Sequence, residues 1–182
     1  PPVRNPAPRA AGLRAVLPRR REASEMKYIL SVLVENKPGV LSRVTGLISR
    51  RGFNIDSLTV APTEDTTMSR MTIIVDADAV AYEQLTKQLH KLVSVYKISD
   101  MTHEDAIERE LVLFKVLAPA DKRHEIIEIA NIFRAKVVDV GKNSLTVEAT
   151  GTASKLDAME DLFRSYGLRQ ITRTGKIAMS RS

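Results

Sequence analysis

The seven residues Glu35-Asn36-Lys37-Pro38-Gly39-Val40-Leu41 are where this chain could do chemistry. An apolar run, Tyr28 to Val34, stops there on a polar dipeptide and re-emerges as an amphipathic pattern. Asn36 is a residue type that favours a helix N-cap, Pro38 fits a first turn that needs no N–H, and Gly39 leaves the backbone bare. The spacing predicts a helix N-terminus. First-turn N–H groups have no intrahelical acceptor and carry the positive end of the helix dipole, so a small carboxylate can dock on them without a dedicated Arg or Lys. The same residues also fit a capped strand-to-helix turn with no ligand. Elsewhere reactive groups do not converge. His90, His103 and His124 lack metal-ligand spacing, and the chain contains no HExxH, GxSxG, GxxxxGK[ST] or GxGxxG. Glu104, Asp105, Glu108 and Glu110 cluster around Arg109 as a solvated link does, not as an acid/base pair.

Positioning such a loop requires a strand behind it and a helix in front. Val40, Leu41, Val44, Leu47 and Ile48 form one helical stripe that ends near Arg51-Gly52. Phe53 to Ala61 and Met68 to Val75 read as a hairpin around Pro62-Thr63-Glu64-Asp65. Tyr82, Leu85, Leu89, Leu92 and Val93 mark a second helix, and Val95 to Met101 a fourth strand. After a short polar link the order repeats. A strand at Glu110 to Ala118 leads to a helix striped by Ile126, Ile127, Ile129, Ala130 and Phe133, then a hairpin of Lys136–Val140 and Leu145–Ala149. A helix carrying Leu156, Met159, Leu162 and Phe163 stops at Gly167, and one last strand lies within Leu168 to Ala178. The fold class expected is α+β, two successive ferredoxin-like βαββαβ modules. The parity of Ile29, Leu33 and Ile74 makes the sheet face away from the helices apolar too, which implies association.

Composition narrows the rest. The 182 residues are 43% hydrophobic and contain no cysteine, which excludes disulfides, thiolate metal sites and cysteine nucleophiles. No apolar run approaches the roughly 18 to 20 residues that a membrane helix needs. Of the net charge of +6, the first 25 residues carry +4, from six arginines against Glu22 and Glu25. The remainder is too nearly balanced for phosphate backbones to be expected as ligands. Residues 1–25, rich in Pro, Ala and Arg, read as a disordered basic tail or, alternatively, a transit peptide, with the folded part starting at Met26. The module order also admits an RNA-recognition domain, but Met68-Ser69-Arg70-Met71-Thr72-Ile73-Ile74-Val75 has no aromatic on which a base would stack.

The stretch Leu30 to Val44, continued by Arg51-Gly52-Phe53-Asn54-Ile55-Asp56-Ser57-Leu58-Thr59-Val60-Ala61, resembles an ACT domain, and in particular that of the small regulatory subunits of acetolactate synthase. The resemblance extends through Ser69-Arg70-Met71-Thr72, Lys87 to Val93, Glu108-Arg109-Glu110-Leu111 and Gly151 to Ala158. It implies an ACT domain at 26–102, a linker at 103–108 and an ACT-like C-terminal domain at 109–182. It further implies a chain with no catalysis of its own. Such a chain pairs as a homodimer through the ACT domain and activates a large catalytic subunit that carries thiamine diphosphate, Mg²⁺ and FAD. It also confers feedback inhibition by branched-chain amino acids, usually valine. The implied effector site takes Asn36, Lys37, Pro38, Gly39, Val40 and Leu41 from one protomer and Asn54 and Ile55 from the other. On this resemblance the expected location is the cytoplasm, or a plastid if the tail is a transit peptide, with neither nucleic acid nor membrane as partner. A free-standing amino-acid-sensing module, a nucleic-acid-binding ferredoxin-like protein and an enzyme on an acylphosphatase-like scaffold stand as the alternatives.

Overall fold

The computed structural model describes residues 26–181, and the reading of the basic tail lies outside them. The first module runs β1 (Met26–Glu35), α1 (Val40–Arg50), β2 (Ile55–Pro62), β3 (Met68–Ala77), α2 (Ala79–Leu89) and β4 (Val95–Asp100). The second runs β5 (Ala106–Leu117), α3 (Arg123–Ile132), β6 (Lys136–Val140), β7 (Ser144–Gly151), α4 (Ala153–Tyr166), β8 (Leu168–Arg173) and β9 (Ile177–Ser180). Both sheets are antiparallel, in the orders β2-β3-β1-β4 and β6-β7-β5-β8, which is the βαββαβ arrangement twice over.

Alternation along the central strands decides which face each helix pair covers. Leu30, Val32 and Val34 of β1 and Met71, Ile73 and Val75 of β3 face Val40, Val44 and Ile48 of α1 and Tyr82, Leu85 and Leu89 of α2. All of these are buried. In the second module Val112, Phe114 and Val116 of β5 and Leu145, Val147 and Ala149 of β7 meet Ile126 and Ala130 of α3 and Leu156, Met159 and Phe163 of α4. Each core is the usual result of period-2 strands packed against period-3.6 helices.

Three features depart from the sequence reading. The last strand is two strands, because the chain turns at Thr174–Lys176 with Gly175 at φ 85°. The fifth strand starts before Glu110: β5 begins at Ala106, and its first residues, Ala106 to Arg109, pair with β9. One twelve-residue strand thus serves two pairings: its second half lies between β7 and β8. Finally, the second face of the first sheet is not left wholly for another molecule. Ile29 and Ile74 are buried against Met101, Ala106 and Ala178, so the second module covers them.

Candidate functional site

The loop between β1 and α1 is held from both sides by main chain. Glu35 N–H donates to Ser94 O at 2.9 Å, and Asn36 N–H to Thr67 O at 2.7 Å. The Asn36 side chain does not cap the helix. Its amide nitrogen donates to Thr66 O at 2.9 Å, which ties the loop to the β2–β3 turn, and the cap position belongs to Gly39. Gly39 has φ 82°, a conformation that non-glycine residues adopt only at a cost, and a Cβ built there meets nothing within 4 Å. The space in front of the helix is open.

The helix start keeps its donors free. Val40 N–H is taken by Lys37 O at 3.3 Å and Arg43 N–H by Gly39 O at 3.0 Å. Among the described residues, the N–H groups of Gly39, Leu41 and Ser42 have no acceptor. No acidic side chain lies in the first turn, so nothing within the element answers the positive end of its dipole. Arg43 adds to that charge. Its Nε donates to Gly39 O at 3.3 Å, which places a guanidinium beside the loop. Sequence reasoning missed Arg43; its signal was the i, i+4 spacing from Gly39.

The apolar members of the expected site divide. Val40 is 2% exposed and packs into the first core, so its side chain is not open to a ligand, whereas Leu41 is 39% exposed. Lys37 extends into solvent with Nζ at 3.3 Å from Glu35 Oε2, and Pro38 is exposed beside it.

Asn54 and Ile55 lie elsewhere. Ile55 pairs with Val75, which pairs with Tyr28, while the other end of β2, Pro62, is level with Ser69 and Val34. Asn54 and Ile55 therefore sit at one end of the sheet and the Asn36 loop at the other, seven strand positions or roughly 23 Å apart. No single chain brings the two halves together. At its own end the Asn54 amide nitrogen donates to Asp56 Oδ1 at 2.9 Å, and Lys27 Nζ lies 2.6 Å from Asp56 Oδ2. The hydrogen bond from Lys27 holds the Asp56 carboxyl below the ordinary carboxylate range. Asp56 occupies the bulge at which the β2–β3 register shifts.

Among the described residues the remaining polar groups lie apart from one another. His90, His103 and His124 are exposed, and His90 Nδ1 is engaged with Thr86 O at 2.9 Å. Three of the acids near Arg109 face different cations: Asp105 meets Arg181, Glu108 meets Lys176, and Glu110 meets Arg173. Among the described residues no group of metal-ligating side chains converges, and no helix is long and apolar enough to cross a membrane.

Comparison with known proteins agrees with this architecture module by module. The family model for the acetohydroxyacid synthase small subunit-like ACT domain matches residues 30–97, and that described as the small subunit of acetolactate synthase matches residues 109–182. A probable acetolactate synthase small subunit from Archaeoglobus fulgidus is 54% identical over 156 residues, covering 86% of this chain and 98% of the relative. The acetolactate synthase small subunit of Mycolicibacterium smegmatis is 54% identical over 154 residues, covering 85% and 91%. Among solved structures, the acetolactate synthase small subunit of Thermotoga maritima superposes with a TM-score of 0.79 at 41% identity, over 86% of this chain and 98% of that one. Identity of this degree, spread across both modules and nearly the whole length of each relative, means that the chain belongs to the acetolactate synthase small-subunit family.

Proposed function

We propose that this chain binds and activates the catalytic subunit of an acetolactate synthase and makes it subject to feedback inhibition by a branched-chain amino acid, valine foremost. The observation that carries the reading is the open start of α1, where Gly39, Leu41 and Ser42 present N–H groups without acceptors beside Arg43. The effector carboxylate accepts hydrogen bonds there. Its ammonium is taken by the carbonyl oxygens of the Asn36 and Asn54 amides, a side-chain type that offers donor and acceptor together. Lys37 and Pro38 border the loop, Val40 holds it to the core, and Leu41 and Ile55 surround the aliphatic side chain.

A homodimer supplies the second half. β2 is an edge strand of the first sheet. Two copies joined antiparallel along β2 bring Asn54 and Ile55 of one chain beside the Pro62 end of the other, and hence beside its Asn36 loop. The ligand then lies across a seam and shifts the arrangement of the two chains to the extent that it binds one arrangement more tightly. On this reading thiamine diphosphate, Mg²⁺ and FAD belong to the catalytic subunit, and this chain contributes no reacting group.

Selection among valine, leucine and isoleucine is partial, because one methylene in an apolar pocket is worth about 1–3 kcal/mol. The test is a thermal melt of the purified chain with each amino acid in turn. A ligand selective for the folded dimer at one hundred times its Kd adds about 2.7 kcal/mol and raises the melting temperature. No shift with any of the three would sink the proposal.

A further inference from the structure

We infer that the Thr174–Lys176 turn is the link through which the effector seam acts on the second module. This inference rests on the effector reading above and adds the route by which that site is felt at a distance. The turn joins β8 to β9 and lies against β2, the strand whose start carries Asn54 and Ile55. Thr59 Oγ1 donates to Thr174 O at 3.3 Å, and Lys176 N–H donates to Ser57 Oγ at 3.2 Å. Between those two bonds sits Gly175 at φ 85°. A Cβ there would collide with Ser57 Oγ and crowd Thr59 Oγ1 at 3.1 Å, so a side chain at 175 would push both hydroxyls out of the contact.

The turn is anchored firmly on its other side. Thr174 N–H donates to Leu111 O at 3.0 Å and Leu111 N–H to Thr174 Oγ1 at 3.2 Å. The preceding residue, Arg173, places Nη2 at 2.7 Å from both Asp157 and Glu160 of α4 and Nη1 at 3.6 Å from Glu110 of β5. Whatever moves the turn moves β8, and through Arg173 it pulls on α4.

The β2 side is built to shift. Within its own chain β2 is paired only with β3, and its register breaks between Ile55 and Ser57. Asn54 holds the bulge residue Asp56 by a hydrogen bond. A ligand ammonium that engages the Asn54 amide oxygen reorients the amide and draws its nitrogen away from Asp56; the bulge resets, and Ser57, the next residue, changes its fit against Gly175. The turn is docked in one state and released in the other, and a ligand that favours one of them couples the two modules. The charges lining the 620 Å³ cleft beside this contact are already paired, Lys27 with Asp56, Lys176 with Glu108 and Arg173 with its three carboxylates, which suits a hinge rather than a second ligand site.

The test compares effector affinity in the free chain and in the complex with catalytic subunit, by calorimetry with valine, leucine and isoleucine. Coupling is reciprocal, so in the wild-type chain the two affinities differ by the coupling factor, roughly 5- to 150-fold in typical allosteric proteins. Gly175→Ala should bring that ratio to about one while affinity in the free chain stays within about twofold. Thr59→Val, which removes the donor to Thr174 O at nearly constant volume, should reduce the ratio too, and decides the matter if Gly175→Ala does not fold. A wild-type ratio in the folded variants overturns the link alone. A wild-type chain that binds none of the three amino acids overturns the effector reading and the link with it.

Discussion

Gly39 must satisfy two demands that pull on the same atom. Its φ of 82° suits a residue without Cβ, and it occupies the N-cap position at the open start of α1. Gly39→Ala meets no neighbour, so it should cost only the backbone strain of a left-handed residue, about 1–2 kcal/mol by chemical denaturation. Gly39→Asp carries the same strain and adds a carboxylate where the ligand's own must rest. It should abolish valine binding by calorimetry and feedback in the holoenzyme while activation persists; unchanged affinity would remove this loop from the site. Asp56 gives a pH signature. Its carboxyl is held low by the hydrogen bond from Lys27, so its contribution to stability is present above about pH 4, the ordinary aspartate range, and is lost as pH falls through the depressed folded value. Lys27→Met should bring the Asp56 titration, followed by NMR, back towards the ordinary value, with a stability change within about 1 kcal/mol because Lys27 is largely exposed. The sequence showed where such a site would lie but not which atoms would be free. Asn36 reads as a cap by residue type, yet the cap is Gly39, because a tertiary acceptor, Thr66 O in a turn thirty residues on, takes the Asn36 amide. Likewise the apolar pattern cannot distinguish Val40, which faces the core, from Leu41, which does not.

Elements were legible where their signals are local. The helix stripes and both hairpins follow from periodicity and turn residues within a window of about a dozen positions, except that Leu92 and Val93, read into the second helix, lie beyond its end at Leu89 and Val93 is exposed. The β9 strand escaped because Ile177-Ala178-Met179-Ser180 is short and its partner, Ala106 to Arg109, lies at the other end of the module. A charged stretch such as Glu108-Arg109-Glu110 reads as a link until its cations are seen in space: Lys176 on the turn and Arg173 on β8. Arg173 ties its own strand, β8, to two further elements, since Glu110 belongs to β5 and Asp157 and Glu160 to α4. Glu110 is 7% exposed, so removing Arg173 strands a carboxylate with little access to water. Arg173→Met should therefore destabilise the chain by about 1–3 kcal/mol in urea unfolding. Adding Glu110→Gln to that variant should recover part of the loss, whereas a pair of fully additive losses would show that Glu110 does not depend on Arg173.

At the scale of the whole molecule the sheet register makes a strong demand. Asn54 and the Asn36 loop lie at opposite ends of the first sheet, so the proposed effector site cannot be closed within one chain. In the dimer we propose, antiparallel pairing along β2 completes two sites, each with a loop from one chain and an asparagine from the other. Lesions in the two halves must then complement. In a homodimer of Gly39→Asp chains both loops are blocked, and in a homodimer of Asn54→Ala chains both asparagines are missing. A mixed dimer collects both lesions in one site and leaves the other site wild-type. Random exchange makes about half of all dimers mixed, so mixing the two variants in equal amounts should restore about a quarter of the wild-type number of binding sites at wild-type affinity. Calorimetry of the exchanged mixture, at valine concentrations too low to load either variant alone, reads that quarter directly. A site closed within one chain predicts no recovery on mixing, whatever the proportions, and that outcome would return Asn54 to a purely structural role beside Asp56.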